Sequence, residues 1–294
     1  MTLFVSGATS QIGRYLLPRL IAAGTPVVAA SRTPQPAQPG VTWLTGDLGS
    51  VLPTAADPPW DAIASFSPLE AWGHWLSQQT VAPAAKIIAT SSMSVVTKQG
   101  SAQSDEQAVV ARLQQGEQGV ARQADRLGMQ WTILRPTLIY GAGIDRSLTP
   151  IVKRARMLRV FPIPMAHGMR QPVHADDIAL AVIAAMSTDA AAGQVIEIGG
   201  GERLDYQHMF QRVHASLDER IVPFYLPSLT LRLLAACSAR ARGPVSRLEQ
   251  DLIADNGPLQ SRLGVHPRAF TPQAAMWSPM SPAQAMERIA GSVR

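Results

Sequence analysis

The residues best suited to chemistry come first in the chain. Ser6-Gly7-Ala8-Thr9-Ser10-Gln11-Ile12-Gly13 stands between an apolar run, Leu3 to Ser6, and a stretch of helical periodicity that begins at Ile12. Gly7 permits a tight turn out of a strand, a small residue at Ser10 lets the backbone approach a pyrophosphate, and Gly13 lets the helix pack closely on the sheet. The start of that helix offers unpaired N–H groups and the positive end of its dipole to phosphate. A glycine-rich turn alone marks no more than a tight β–α connection; the strand before it and the helix after it point to a dinucleotide. Ser10 stands where glycine is common and brings a hydroxyl that can reach phosphate. Gly7, Thr9, Ser10, Gln11, Ile12 and Gly13 are therefore candidate cofactor-binding residues.

Two further positions bear on which dinucleotide would bind. Ser31-Arg32 closes the second apolar run. A carboxylate there would bond the ribose diol of NAD, whereas arginine suits the extra 2′-phosphate of NADP. Ser31 and Arg32 thus make NADP the expected cofactor and NAD the alternative; a solvated surface arginine is the plainer reading. Asp47-Leu48 follows the third run, where the carboxylate can accept from an adenine amino group or simply serve a turn.

These side chains need a frame. Short apolar runs at 3–6, 27–31, 41–44, 62–66, 86–90, 130–134 and 195–198 read as strands. Helical stretches at 12–23, 69–79, 105–127 and 175–186 lie between them. Alternation of this kind builds βαβ units and a parallel sheet covered on both faces. The expected fold is α/β, a doubly wound Rossmann sheet with a smaller, mostly helical C-terminal lobe. Residues 1–140 plus 173–200 would form the dinucleotide-binding part, and 141–172 plus 201–294 a lobe set against the strand ends.

Composition excludes several classes. With 294 residues, 46% hydrophobic and 16% charged, the chain can bury a sizeable core. A single cysteine, Cys237, rules out an internal disulfide and a multi-cysteine metal site. A strand that opens at Leu3 leaves no room for a cleavable leader, and no apolar run reaches the length of a membrane span. A cytoplasmic protein without a membrane partner is expected, and a homo-oligomer is compatible with the sequence. The net charge is +5, and 23 of the 26 basic residues are arginine. They are dispersed, with no basic run interleaved with aromatics, so small anionic molecules suit them better than nucleic acid. Arg232, Arg240, Arg242, Arg247 and Arg268 fall in the C-terminal lobe, where they would meet an anionic substrate or solvent.

Six stretches, taken in order, resemble the short-chain dehydrogenase/reductase superfamily. They are Gly7 to Gly13, Gly46-Asp47-Leu48, Thr90-Ser91-Ser92, Leu134-Arg135-Pro136-Thr137-Leu138-Ile139-Tyr140-Gly141, Pro172 to Ala179 and Leu263 to Phe270. The likeness is to its extended and atypical branches, which include nucleoside-diphosphate-sugar epimerases and dehydratases, and it runs over nearly the whole chain. It implies that Phe66 and Ser67 border the adenosine and ribose, that Ser92 bonds a substrate oxygen, and that Pro136 and Thr137 lie along the nicotinamide. Plainer roles exist: Ser91 and Ser92 suit strand-end caps, and Asp176-Asp177 suits the cap of the helix that follows. His174, with no second ligand at metal spacing, is expected to be structural.

One feature of that superfamily is missing. Its members carry a Tyr four residues before a Lys on one helix, so that the two share a face. The Lys lowers the phenol pKa and the Tyr moves the proton. None of Tyr15, Tyr140, Tyr206 and Tyr225 has a Lys four residues on. Aligning Glu117 on the superfamily's glutamate sets Val109 and Leu113 at the two positions. Lys98 follows Ser94 at the same spacing, in a stretch read as a loop. Ser92, Tyr140, Lys98, His174 or a bound water remain as candidates for proton transfer. The expectation is an NAD(P)-dependent oxidoreductase or epimerase-like enzyme with a non-standard acid–base group. The alternative is a non-catalytic NADP(H) sensor or partner-binding protein.

Overall fold

Seven strands form one parallel sheet, whose central strands are runs of buried aliphatic residues because helices cover both faces, while the edge strand Val41–Thr45 is only partly buried. The computed structural model describes residues 2–46, 59–101, 103–227, 229–230, 245, 248–281, 284–285 and 287. Its strands in chain order are β1 (Leu3–Ser6), β2 (Val27–Ser31), β3 (Val41–Thr45), β4 (Trp60–Ser65), β5 (Ala84–Thr90), β6 (Gln130–Pro136), β7 (Ile139–Tyr140), β8 (Val160–Met165), β9 (Met169–Arg170), β10 (Val173–His174), β11 (Gln194–Ile198), β12 (Leu204–Asp205) and β13 (Val222–Pro227). The helices are α1 (Gly13–Ala22), α2 (Leu69–Ser77), the one-turn α3 (Ser94–Thr97), α4 (Ser104–Arg126), α5 (Thr149–Leu158), α6 (Ala175–Ser187), α7 (Tyr206–Ala215) and α8 (Gly257–Leu263).

The sheet order is β11-β6-β5-β4-β1-β2-β3. Its order reverses between β1 and β4, where Ser6 stands beside Ser65. In open α/β sheets this switch point, beyond the carboxyl ends of the strands, is where a ligand crevice forms. Leu16, Leu20, Ile178 and Val182 of α1 and α6 pack on one face. Leu69, Trp72, Leu76, Val120 and Ala124 of α2 and α4 cover the other. Each large side chain buried there contributes roughly 1.5–3 kcal/mol. The two helices on that face cross tightly, since a Cβ on Gly73 would lie 3.3 Å from Gly119 backbone.

A third core lies under the C-terminal lobe, built from Tyr140, Leu148, Val152, Phe161, Phe210, Phe270 and Trp277. Around this core stand α5 and α7 and also two strand pairs that the sequence reading did not include, whereas α8, expected in the lobe, packs Leu259 and Leu263 into the core of the sheet domain. β8 runs parallel to β13, and β9 antiparallel to β12. Among the described residues no helix is long and apolar enough to cross a membrane.

The lobe is fastened to the sheet domain by charge. Asp176 at the start of α6 accepts from Arg19 of α1 at 2.6 and 2.8 Å and from Arg268 at 2.8 Å. Asp177 accepts from the Arg268 backbone N–H at 3.0 Å and its Nε at 2.8 Å. The expected capping role of the two aspartates is corrected here. The cap is His174, whose Nδ1 accepts from the Asp176 N–H at 3.2 Å. Burial alone would raise the Asp176 carboxyl, and the hydrogen bonds and charge of Arg19 and Arg268 more than reverse it, holding it below the ordinary range. For Asp177 burial prevails over Arg268, and its carboxyl is raised.

Candidate functional site

The turn between β1 and α1 is shaped by two glycines. Gly7 has φ +68°, and a Cβ there would meet the Phe66 carbonyl group at 3.0 Å. Only glycine takes that conformation without strain. A Cβ on Gly13 would fall 2.2 Å from the Ala8 carbonyl oxygen. Gly13 therefore lets the loop fold back on the first turn of the helix, a closer constraint than the helix-on-sheet packing expected of it. The Ser10 N–H donates to the Gly7 carbonyl at 2.8 Å, and Ser10 Oγ accepts from the Gly13 N–H at 3.2 Å. Ser10 Oγ thus accepts the first N–H of α1 and keeps its own O–H for a further acceptor. Among the described residues the N–H groups of Gln11 and Ile12 have no acceptor.

Those N–H groups open on a cleft of about 1370 Å³ above the switch point. Gly7, Thr9, Ser10, Gln11, Ile12, Ser31, Arg32, Phe66, Ser67, Ser92, Pro136 and Thr137, proposed from sequence, all line it. Gly13 stands behind the loop, and Asp47 and Leu48 lie outside the described residues. Tyr140 is elsewhere. It is 1% exposed, edge-on to His174 and to Phe270, and burial raises its phenol, with the Asp177 charge adding to the rise. Its position is one of packing, outside the lining of the cleft. His174 is likewise enclosed, between the Tyr15 and Tyr140 rings.

Several lining groups are already committed. Ser31 Oγ accepts from the Thr33 N–H at 3.3 Å and from Gln35 Nε2 at 3.2 Å. Ser67 Oγ shares the Trp72 indole N–H with Ser6 Oγ. The Thr137 hydroxyl donates to the Gln171 carbonyl. Ser92 Oγ donates to Ser94 Oγ and accepts from the Ser94 N–H, both at 3.1 Å. Arg32, by contrast, is exposed and has no hydrogen-bond or ion-pair partner among the described residues.

The cleft also has walls that sequence reasoning missed. Ser94, Thr97 and Lys98 line it from α3, and Lys98 is the residue that ends that helix. The run Val95-Val96-Thr97 argues against a helix there. A tertiary bond from the Met93 N–H to the Pro136 carbonyl at 3.0 Å holds it, and within the turn Thr97 Oγ1 donates to the Met93 carbonyl at 3.0 Å. From the lobe come Arg146, Arg170 and Tyr206. Asp145 accepts the N–H groups of Ser147, Leu148 and Thr149 at 2.6–3.0 Å, capping α5 and fixing the segment that carries Arg146. Arg170 is buried, donates to the Gln250 carbonyl at 2.6 Å, and lies 4.6 Å above the Tyr206 ring. An aspartate three to four residues before a helix was the readable signal for the first; nothing local marks Arg170. Val109 and Leu113 are half-buried on α4 and are not among the lining residues. Arg268 is held by Asp176 and Asp177, and Arg232, Arg240, Arg242 and Arg247 lie outside the described residues.

No protein-family model and no curated protein matches this sequence. Solved structures do match the fold. MoeE5 in complex with UDP-glucuronic acid and NAD superposes with a TM-score of 0.72 at 18% identity, covering 99% of this chain and 100% of that one. The UDP-glucuronic acid 4-epimerase from Bacillus cereus in complex with NAD gives 0.70 at 16%, covering 98% and 99%. A short-chain dehydrogenase/reductase superfamily protein from Agrobacterium tumefaciens with bound NAD gives 0.65 at 15%, covering 100% and 97%. Over its full length, this chain has the fold of these epimerase and short-chain dehydrogenase/reductase structures.

Proposed function

We propose that the cleft binds a nicotinamide dinucleotide, NADP(H) in preference to NAD(H), and that the chain is an atypical short-chain dehydrogenase/reductase acting on a small anionic substrate. The observation that carries this is the convergence of the glycine turn, Arg32, Phe66-Ser67, Ser92 and Pro136-Thr137 on one cleft. The site's polar groups fit such a ligand. Besides the open N–H groups of Gln11 and Ile12, Gln11 Oε1 is buried with no donor among the described residues. A pyrophosphate would take the two N–H groups, the adenosine would lie by Phe66 and Ser67, and the nicotinamide would run along Pro136 and Thr137. Bound there, the dinucleotide supplies or accepts a hydride. Residues 1–140 plus 173–200 form the cofactor part, and the remainder closes the substrate side.

Cofactor identity rests on Arg32. The three matched structures described above carry NAD, and a guanidinium beyond β2 favours the additional 2′-phosphate. On the substrate side Arg146 and Arg170 supply positive charge, in keeping with the UDP-glucuronic acid held by MoeE5. The Ser92 hydroxyl bonds the reacting oxygen after giving up its bond to Ser94. A second reading, a non-catalytic NADP(H) sensor, is favoured by one observation: no Tyr in the sequence has a Lys four residues on.

Calorimetric titration with NADPH and NADH, followed by assay of NADPH consumption with UDP-glucuronic acid, UDP-glucose and small carbonyl compounds, separates the readings. Tighter NADPH binding with turnover supports the enzyme. Binding without turnover supports the sensor. Binding of neither cofactor overturns both.

A further inference from the structure

Every proton-transfer route requires a group in the cleft that can release a proton, and few of the lining side chains qualify. Arg32, Arg146 and Arg170 are guanidinium groups, which do not deprotonate in proteins. Asp145 is taken up by three backbone N–H groups and the Thr149 hydroxyl. Asp251 accepts the Met169 N–H at 2.8 Å. Tyr206 stacks on Phe210 and sits beneath the Arg170 guanidinium, on the lobe side. Lys98 differs from all of these. Its side chain is 20% exposed and its ammonium is ion-paired at 3.5 Å with Glu106, whose own side chain is 9% exposed and accepts the Ser101 hydroxyl at 2.7 Å.

Position supports the same residue. The Lys98 N–H donates to the Ser94 carbonyl at 3.1 Å, so Ser94 and Lys98 stand one turn apart on α3, and both line the cleft. Groups at this spacing share a helix face. Ser92 Oγ bonds Ser94 Oγ at 3.1 Å, and the Met93 N–H pins the segment to the Pro136 carbonyl at 3.0 Å. Ser92, Ser94 and Lys98 therefore line one wall of the cleft in the segment that follows β5, and Pro136 and Thr137 line it beside them.

We propose that Lys98 is the proton donor and acceptor of this enzyme, with Ser92 and Ser94 bonding the substrate oxygen beside it. The inference rests on the proposed function above. In the reducing direction a hydride passes from a reduced nicotinamide dinucleotide to a carbonyl carbon. The C=O π bond breaks and its electron pair remains on oxygen. That oxygen takes a proton from the Lys98 ammonium, and the resulting amine is reprotonated by water. Oxidation of an alcohol runs through the same groups in reverse.

The chain has only three lysines, Lys86, Lys98 and Lys153. Reductive ¹³C-dimethylation therefore gives three lysine NMR signals beside that of the N-terminal amine, the Lys98 signal being the one lost in Lys98→Arg. Saturating NADPH shifts the Lys98 signal, and 2′-phospho-ADP-ribose, which lacks the nicotinamide, leaves it in place. In turnover of whichever substrate in the panel the wild type converts, Lys98→Met and Lys98→Arg both fall by about a hundredfold or more, while NADPH still binds. Retained charge in Lys98→Arg without retained rate separates proton transfer from electrostatic holding. A Lys98 signal indifferent to bound NADPH overturns the inference while leaving the cofactor reading intact. So does Lys98→Met with near wild-type turnover, or a comparable loss in Tyr206→Phe alone. Absence of NADPH binding is the distinct failure of the underlying reading.

Discussion

Arginine serves two regions of this molecule under opposite conditions. At the junction of α1, α6 and the segment around residue 268, Arg19 and Arg268 meet Asp176 and Asp177. At the cleft, Arg32 meets no carboxylate among the described residues and remains exposed. Paired arginines fasten elements distant in the chain, and an unpaired one at a ligand crevice keeps its charge for something that arrives. The residue type is the same; the partner decides the role. Composition alone, with its many arginines, could not separate the two.

The comparison predicts effects that differ in kind. Arg268→Ala leaves two buried carboxylates short of a cation and should cost about 3 kcal/mol of folding stability, the lower end for a broken buried pair because the arginine side chain is 38% exposed. Urea denaturation at several pH values checks it. The depressed Asp176 carboxyl adds stability above the ordinary carboxylate range that is lost as pH falls through its folded value. The raised Asp177 carboxyl works in the other sense, its contribution being lost as pH rises. Removing Arg268 raises both groups, so the deficit is greatest at neutral pH and shrinks toward acid. A deficit that grew on acidification would break the comparison.

Next in size is Gly13→Ala, whose Cβ would lie 2.2 Å from the Ala8 oxygen. Overpacking of this kind costs about 2 kcal/mol, and the displaced turn should also weaken dinucleotide binding. Thermal melting and calorimetry on one preparation read both. Arg32→Ala should leave stability and NADH affinity unchanged and weaken NADPH binding about tenfold, the value of one charge-assisted contact. Equal loss for both cofactors would show that the guanidinium does not read the 2′-phosphate. The smallest effect is that of Ser10→Ala, which removes the acceptor of the Gly13 N–H and should cost about 0.5 kcal/mol. Chemical denaturation resolves it.

The sheet was legible because strands buried on both faces are continuous apolar runs. All seven runs read from the sequence correspond to strands in the sheet. The glycine turn and Arg32 were legible for a related reason, since their spacing to β1 and β2 is local. The β8–β13 pair was not. Pro162, Pro164, Pro223 and Pro227 interrupt those strands, and their partners lie some sixty residues apart along the chain. Asp176 and Asp177 look like caps in a linear reading because aspartates at a helix start usually are. Their actual partners, Arg19 and Arg268, are 157 and 91–92 positions away. The Ser94–Lys98 spacing was visible, but its helix was not, because a β-branched run is held in a turn by bonds to β6.

The most direct test of the account is a crystal structure of the wild-type protein with NADPH. The pyrophosphate should lie on the N–H groups of Gln11 and Ile12, the 2′-phosphate within hydrogen-bond reach of Arg32, and the nicotinamide beside Pro136 and Thr137. A dinucleotide bound anywhere else on the protein, or turned so that its 2′-phosphate lies away from Arg32, would contradict it.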